Sequence, residues 1–227
     1  MALFEIVRFV LPLCQKSDFA KLREYLSFHG GIRDQYFGDM IAPSNAALPI
    51  KTNEMCWAIQ WPDGSEMRTN SVFRSQLRKL TKVQDTKSLL FHFEYSQIPE
   101  LTKALEAPIC EFAIINLSPD APKSNPDFMH SMHKTYTDCY RMDRFVGGNW
   151  AYAVNTNDTN GDSVDEERNQ WIEENERRLA CYYLGWESIK AHEAATKTDI
   201  FAEEIVKLAP WFGPGSGAWY VQFEKHV

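Results

Sequence analysis

The chain has 227 residues, 44% hydrophobic and 24% charged, with a formal net charge of −7, a balance that builds a globular core and argues against long disordered stretches. That charge argues against a nucleic-acid partner, which would need a basic stripe; the short basic run Arg74, Arg78, Lys79 reads as the wet face of a helix. No apolar run reaches membrane-spanning length, and the five cysteines (Cys14, Cys56, Cys110, Cys139, Cys181) show no CxxC spacing, so they read as reduced, buried side chains of a cytoplasmic protein.

The opening MALFEIVRFVLPLC is interrupted by Glu5 and Arg8 and lacks a basic leader and a cleavage site, so it reads as a strand over 3–11 rather than a signal peptide. A helix follows over 17–29, with Ser17 and Asp18 as cap, Phe19, Leu22 and Leu26 as apolar stripe, and Gly30-Gly31 as stop. Extended segments at 34–41 and 55–61, a helix at 65–80 and a strand at 88–95 complete a β-α-β-β-α-β order, the ferredoxin-like pattern. A second round repeats it. A strand at 110–117 precedes a helix at 126–141 with Met129, Met132, His133, Tyr136 and Tyr140 on its stripe, then strands at 148–154 and 179–186, helices over 187–208 and a strand at 218–225. The polar stretch 155–170 interrupts the middle strands, and 165–178 (DEERNQWIEENERR) reads as a short solvated helix.

The two rounds match in sequence as well. FEIVRFVLP (Phe4 to Pro12) lies on EFAIINLSP (Glu111 to Pro119), MCWAIQW on ACYYLGW, FRSQLRKL on FAEEIVKL, and FHFEY on VQFEK, in the same order. One ferredoxin-like sheet covers only one face with its own helices, so two copies bury their free faces against each other. The expected fold is therefore α+β: two fused ferredoxin-like repeats, 1–108 and 109–227, forming an intrachain dimeric α+β barrel. Its expected state is a monomer that is internally a pseudo-dimer, or a weak homodimer.

The stretch YYLGWESIKAHEAA, followed by an apolar helix and WYVQFEK, resembles the C-terminal half of dimeric α+β barrel proteins of the antibiotic-biosynthesis-monooxygenase-like kind common in fungi; Gly185, Trp186, Glu187, Ser188, Ala191 and His192 carry the likeness. The first copy keeps Trp61 but is shorter after it and offers no match to His192. The resemblance implies a small apolar or aromatic ligand, with no metal or flavin, and oxygenation, isomerisation, cyclisation or decarboxylation of polyketide-like aromatics. Relatives without activity leave a ligand-binding or stress-related protein as the alternative.

Histidines suit general acid–base work on a phenol or enol near neutrality. His192 is the first candidate, against a histidine that merely pins its helix to the sheet. His133, on the apolar stripe of its helix, is the second; pairing with His130 as a metal site lacks a third ligand. Substrate contacts are expected from Asn149 and Trp150 after Gly147-Gly148, from Trp186 as a wall, and from Tyr183 and Tyr220 on neighbouring strands. His92 and Glu94 share a strand face by period two, with Gln222 and Glu224 corresponding, as interior site or as polar seam. Residues 158–169 imitate a calcium loop but carry Ser163 where glycine is required and Asn169 where the bidentate Glu belongs. There is no GxGxxG, P-loop, GxSxG or HExxH.

Overall fold

Strand β1 (Ala2–Val10) is apolar on both faces. Phe4 and Ile6 point one way, Leu3, Val7 and Phe9 the other, and all are buried. A strand covered on both sides reads as a continuous hydrophobic run rather than an alternation, and that property dictates the architecture. The computed structural model describes residues 1–41, 50–62, 70–81, 86–164 and 171–226.

The first repeat is β1, α1 (Lys16–His29), β2 (Asp34–Ile41), β3 (Glu54–Trp61), α2 (Ser71–Leu80) and β4 (Lys87–Phe93). The second is β5 (Ile109–Asn116), α4 (Pro126–Thr137), β6 (Phe145–Tyr152), β8 (Leu179–Trp186), α5 (Ile189–Ala195), α6 (Asp199–Leu208) and β9 (Gly217–Val221). Between them runs α3 (Ile98–Glu106); β7 (Asp162–Ser163) and β10 (Glu224–Lys225) are short additions. The sheet order is β6-β8-β5-β9-β2-β3-β1-β4-β7, with β10 on β2, so each repeat contributes its strands in the same sequence. The repeats join where Met40 and Ile41 pair with Val221 and Tyr220. At the far ends an antiparallel bridge from Phe91 to Ala153 brings β4 onto the continuation of β6, curling the sheet into a barrel.

The barrel interior is dry and aromatic. Phe4, Phe91, Phe93 and Phe112 all meet the Tyr183 ring edge-on, and Cys56, Cys110 and Cys181 fill the space between. Arg8 is paired there, donating to Glu54 at 2.9 Å and lying 4.6 Å from the Trp219 ring, whereas the Tyr183 hydroxyl and the Trp219 indole N–H are buried without a hydrogen-bond partner among the described residues. Helices α1 and α2 cover the outer face of the first repeat through Phe19, Leu22, Leu26, Phe73 and Leu77. In the second, Phe128 and Met132 of α4 and Leu208 of α6 do so.

Four sequence expectations change. Helix α3 was not anticipated; it packs Leu101, Ala104 and Leu105 into the interior cluster at one end of the barrel. The strand overlay shifts by one residue. Leu3 pairs with Trp61 and Ile109 with Trp186, so the counterpart of Glu111 is Glu5, not Phe4. The shared proline that ends both segments suggested the wrong register, and in a strand one residue reverses the face. Arg74 is buried rather than wet, and its guanidinium donates to the Val164 carbonyl. Of the helix expected over 165–178, residues 165–170 lie outside the described residues, and 171–178 hold only a 3-10 turn at Glu174–Glu176. The stretch after Trp61, compared above with the His192 segment, also lies mostly outside them, as does Asn169 of the calcium-loop-like run.

Candidate functional site

On the helix-covered face of the second repeat, β5 places one carboxylate in an otherwise apolar layer. Glu111 is 4% exposed and sits directly opposite Tyr220 of β9 on one side and Leu184 of β8 on the other. Trp186 closes β8 and donates its indole N–H to Glu111 Oε2 at 3.2 Å. Two residues later the chain turns into α5, where the Ser188 hydroxyl accepts from the Ala191 N–H at 3.2 Å, a cap that fixes where the first turn starts. That turn carries His192 back over the sheet. Its Nε2 lies 3.1 Å from Glu111 Oε2 and its Nδ1 2.7 Å from the Tyr220 hydroxyl.

Both ring nitrogens are therefore engaged. The arrangement is satisfied when Nε2–H donates to the carboxylate and Nδ1 accepts from the tyrosine, or when a doubly protonated ring donates to both oxygens. Burial disfavours the charged ring, but the charge and hydrogen bond of Glu111, with help from Glu193, outweigh it, and the His192 pKa is raised. The Tyr220 hydroxyl is held protonated, first by burial and then by Glu111 and Glu193. Glu111, His192 and Tyr220 form a line that can hold and pass a proton.

This line borders a cavity of about 730 Å³ between β5, β9 and α5–α6. Ala113 and Ala218, a cross-strand pair, give it a low floor, while Ile115, Phe201, Ile205 and Phe212 supply apolar walls. The exposed Lys197 stands at its solvent side. Few polar groups in an apolar hollow is the usual make-up of a small-molecule site. A cleft of about 610 Å³ beside α1, lined by Lys16, Arg23 and Phe37 among others, contains Gln222 and Glu224 but none of the histidines, tryptophans or tyrosines singled out in the sequence.

Of those residues, His192, Tyr220 and Trp186 converge, with Trp186 behind the carboxylate and 5.3 Å ring-to-ring from His192. The rest fall elsewhere. His133 is exposed and stands against Tyr136 on the outside of α4; the stripe that turns inward is Phe128, Ser131 and Met132, one residue away. Partial desolvation on the helix surface lowers its pKa, as does His130. Trp150 is a packing residue, stacked on Tyr182. Asn149, its neighbour, points to the opposite face and accepts from the Trp150 N–H. Tyr183 belongs to the barrel interior.

His92 faces outward with Leu3 and meets Trp171, because Phe91 and Phe93 claim the interior face. Glu94 lies beyond the strand and caps the turn at Tyr95–Gln97, and Gln222 and Glu224 are exposed, so neither interior site nor polar seam forms there. Sequence reasoning passed over Glu111, although a glutamate occurs in each of the two matched apolar strands. Among the described residues no group of three His, Cys, Asp or Glu is placed to hold a metal ion, and no helix is long and apolar enough to cross a membrane.

No family model and no curated protein matches the sequence. Solved structures do match the fold. A candidate monooxygenase from Fusobacterium nucleatum subsp. nucleatum is similar at 9% identity with a TM-score of 0.59, over 99% of this chain and 94% of that one. An anthrone oxidase-like protein is similar at 9% identity and a TM-score of 0.58, over 99% and 92%. A candidate chlorite dismutase gives 9% identity and a TM-score of 0.59, over 99% and 95%. At such identities the likeness is one of fold: the α+β barrel of two ferredoxin-like repeats.

Proposed function

We propose that the chain is a cofactor-independent enzyme acting on a small aromatic or polyketide-like metabolite, with His192 as the centre of its acid–base chemistry. One observation carries the reading: a histidine tied to a buried carboxylate and a tyrosine at the edge of an apolar cavity of about 730 Å³. The neighbours' names, monooxygenase and anthrone oxidase-like, agree with it. A phenol or enol deprotonated in such a pocket is electron-rich enough to reduce dioxygen itself. In the oxidation of a ring methylene to a carbonyl, both C–H bonds and the O–O bond break, one oxygen atom becomes the carbonyl oxygen on that carbon, the other leaves as water with the two hydrogens, and the protein supplies base, orientation and dryness. Cyclisation, isomerisation or decarboxylation would use the same groups. The chain is read as cytoplasmic, and as a monomer, since one chain already supplies both halves of the barrel.

The second reading, a ligand-binding protein without turnover, draws on the fact that both His192 nitrogens are already satisfied, as in a histidine that pins α5 to the sheet. Anthrone is a suitable probe: its conversion to anthraquinone is followed by absorbance and oxygen uptake. Wild type should accelerate it over buffer, and His192→Gln should lose roughly a hundred- to ten-thousandfold with its circular dichroism unchanged. Saturable anthrone binding without acceleration selects the binding protein.

A further inference from the structure

The two repeats contain the same buried carboxylate in two states. In the first, Glu5 is 2% exposed, and both its oxygens are hydrogen-bonded: Trp61 Nε1 donates to Oε2 at 2.7 Å and the Ser88 hydroxyl to Oε1 at 2.5 Å. In the second, Trp186 and His192 both sit on Glu111 Oε2. The residue in register with Ser88 is Ala218. Ser88 stands opposite Val7 and Ala218 opposite Ala113, each two residues along its strand from the glutamate's position. Alanine has no hydroxyl. Glu111 Oε1 consequently accepts no hydrogen bond among the described residues, yet it is not one of the sealed, unsatisfied buried atoms, and Glu111 and Ala218 both border the cavity.

A carboxylate oxygen that opens onto the cavity and has no protein partner is satisfied by what enters the cavity, solvent or ligand. His192, by contrast, has no ring nitrogen to offer a ligand without first breaking a bond. We infer that Glu111, through Oε1, is the catalytic residue that takes the proton, and that its ligand is a ring compound bearing an acidic O–H or C–H laid over Ala218. This rests on the acid–base reading above. His192 and Trp186 are then positioning residues that hold the other oxygen. When the acidic bond is the C10–H of anthrone, it breaks to give its proton to Oε1, and its electron pair moves into the ring system and onto the carbonyl oxygen. Solvent exchange of the carboxyl proton and its return to carbon complete a cycle that needs no oxidant.

The test is hydrogen–deuterium exchange at C10 of anthrone in anaerobic D2O, read by mass spectrometry for wild type and four variants. Glu111→Gln should lose roughly a hundred- to ten-thousandfold of the catalysed rate. Ala218→Ser, which adds one oxygen and recreates the Ser88 contact, should lose roughly ten- to a hundredfold while its thermal melt is kept. Ser88→Ala, in the first repeat, should exchange like wild type. His192→Gln should be slow and should lose the inflection that imidazole titration gives the wild-type pH–rate profile, a change a merely structural role would not produce. If Ala218→Ser keeps the wild-type rate, or if Glu111→Gln does while His192→Gln is slow, the assignment to Glu111 is overturned and the acid–base reading stands. If the wild-type protein does not accelerate exchange, both fall.

Discussion

His192 could be found in the sequence because a histidine follows Trp186 at a spacing that a short helix turns back over the sheet, and the G-W-E-S-x-x-A-H string flagged it. Its partner Glu111 could not be read in the same way. It sits in an apolar strand, and only three-dimensional register shows that it stands beside Tyr220 and below Trp186. His133 misled for the converse reason: on a helix one residue turns a side chain by about 100°, so Met132 faces inward while His133 beside it stands outside. The electrostatics of the pair are testable. Burial, the largest influence on His192, lowers its pKa, and Glu111 overcomes it. Glu111→Gln removes the raising influence and leaves burial, so the His192 pKa, measured by NMR titration, should fall below the wild-type value. Stability follows in sign. A pKa raised in the folded state stabilises fully below the unfolded value near about 6.5 and loses that contribution as pH climbs through the folded value. Denaturation midpoints of wild type and His192→Gln should therefore differ most in mild acid and converge at alkaline pH. A gap that widens with pH would refute the pairing.

Most strands and helices were legible within a residue or two, because β-branched and aromatic runs ended by proline or glycine leave few alternatives. Helix α3 was not, although Pro99 in its first turn and Leu101, Ala104 and Leu105 at helical spacing carry the signal. Its role is to close one end of the barrel, and it does so by lying against two glycines. A Cβ on Gly185 would stand 2.8 Å from Ala104 Cα and 2.9 Å from Ala107 Cβ, and one on Gly147 would stand 2.9 Å from Lys103 Cβ. Gly185→Ala must therefore push α3 outward at a backbone atom that cannot rotate away. Overpacking of this kind costs about 1–3 kcal/mol, which a thermal or urea melt will resolve. Because Gly185 precedes Trp186, the same variant should also weaken the clamp on Glu111 and slow anthrone turnover. A variant as stable as wild type would mean that α3 does not bear on β8.

At the scale of the molecule, the four ordered matches between the repeats were enough to indicate the barrel, but not why only one repeat carries the cavity with the histidine. The stretch read as a loop between the middle strands supplies the reason. It leaves the second repeat, crosses to the first, and pairs β7 with β4; Asn155 donates to the Ser88 carbonyl and accepts from the Leu90 N–H, and Val154 joins the layer under α1 and α2 with Val164 packed against it. One repeat thus completes the other's core, while its own face keeps Ala113 and Ala218 open to the cavity. The halves also share the interior, where Phe4, Phe91 and Phe93 of the first enclose Tyr183 of the second. Neither half retains a closed core without its partner, so the chain should unfold in one cooperative step. Guanidinium denaturation followed by near-ultraviolet circular dichroism, and native-state amide exchange read separately in β1 and β5, should give a single free energy. Phe91→Ala, expected to cost about 3–5 kcal/mol, should lower protection in β1 and β5 together although Phe91 lies in β4, in the first repeat alone. Separate transitions, or protection lost in the first repeat alone, would make the repeats two domains in contact rather than one barrel.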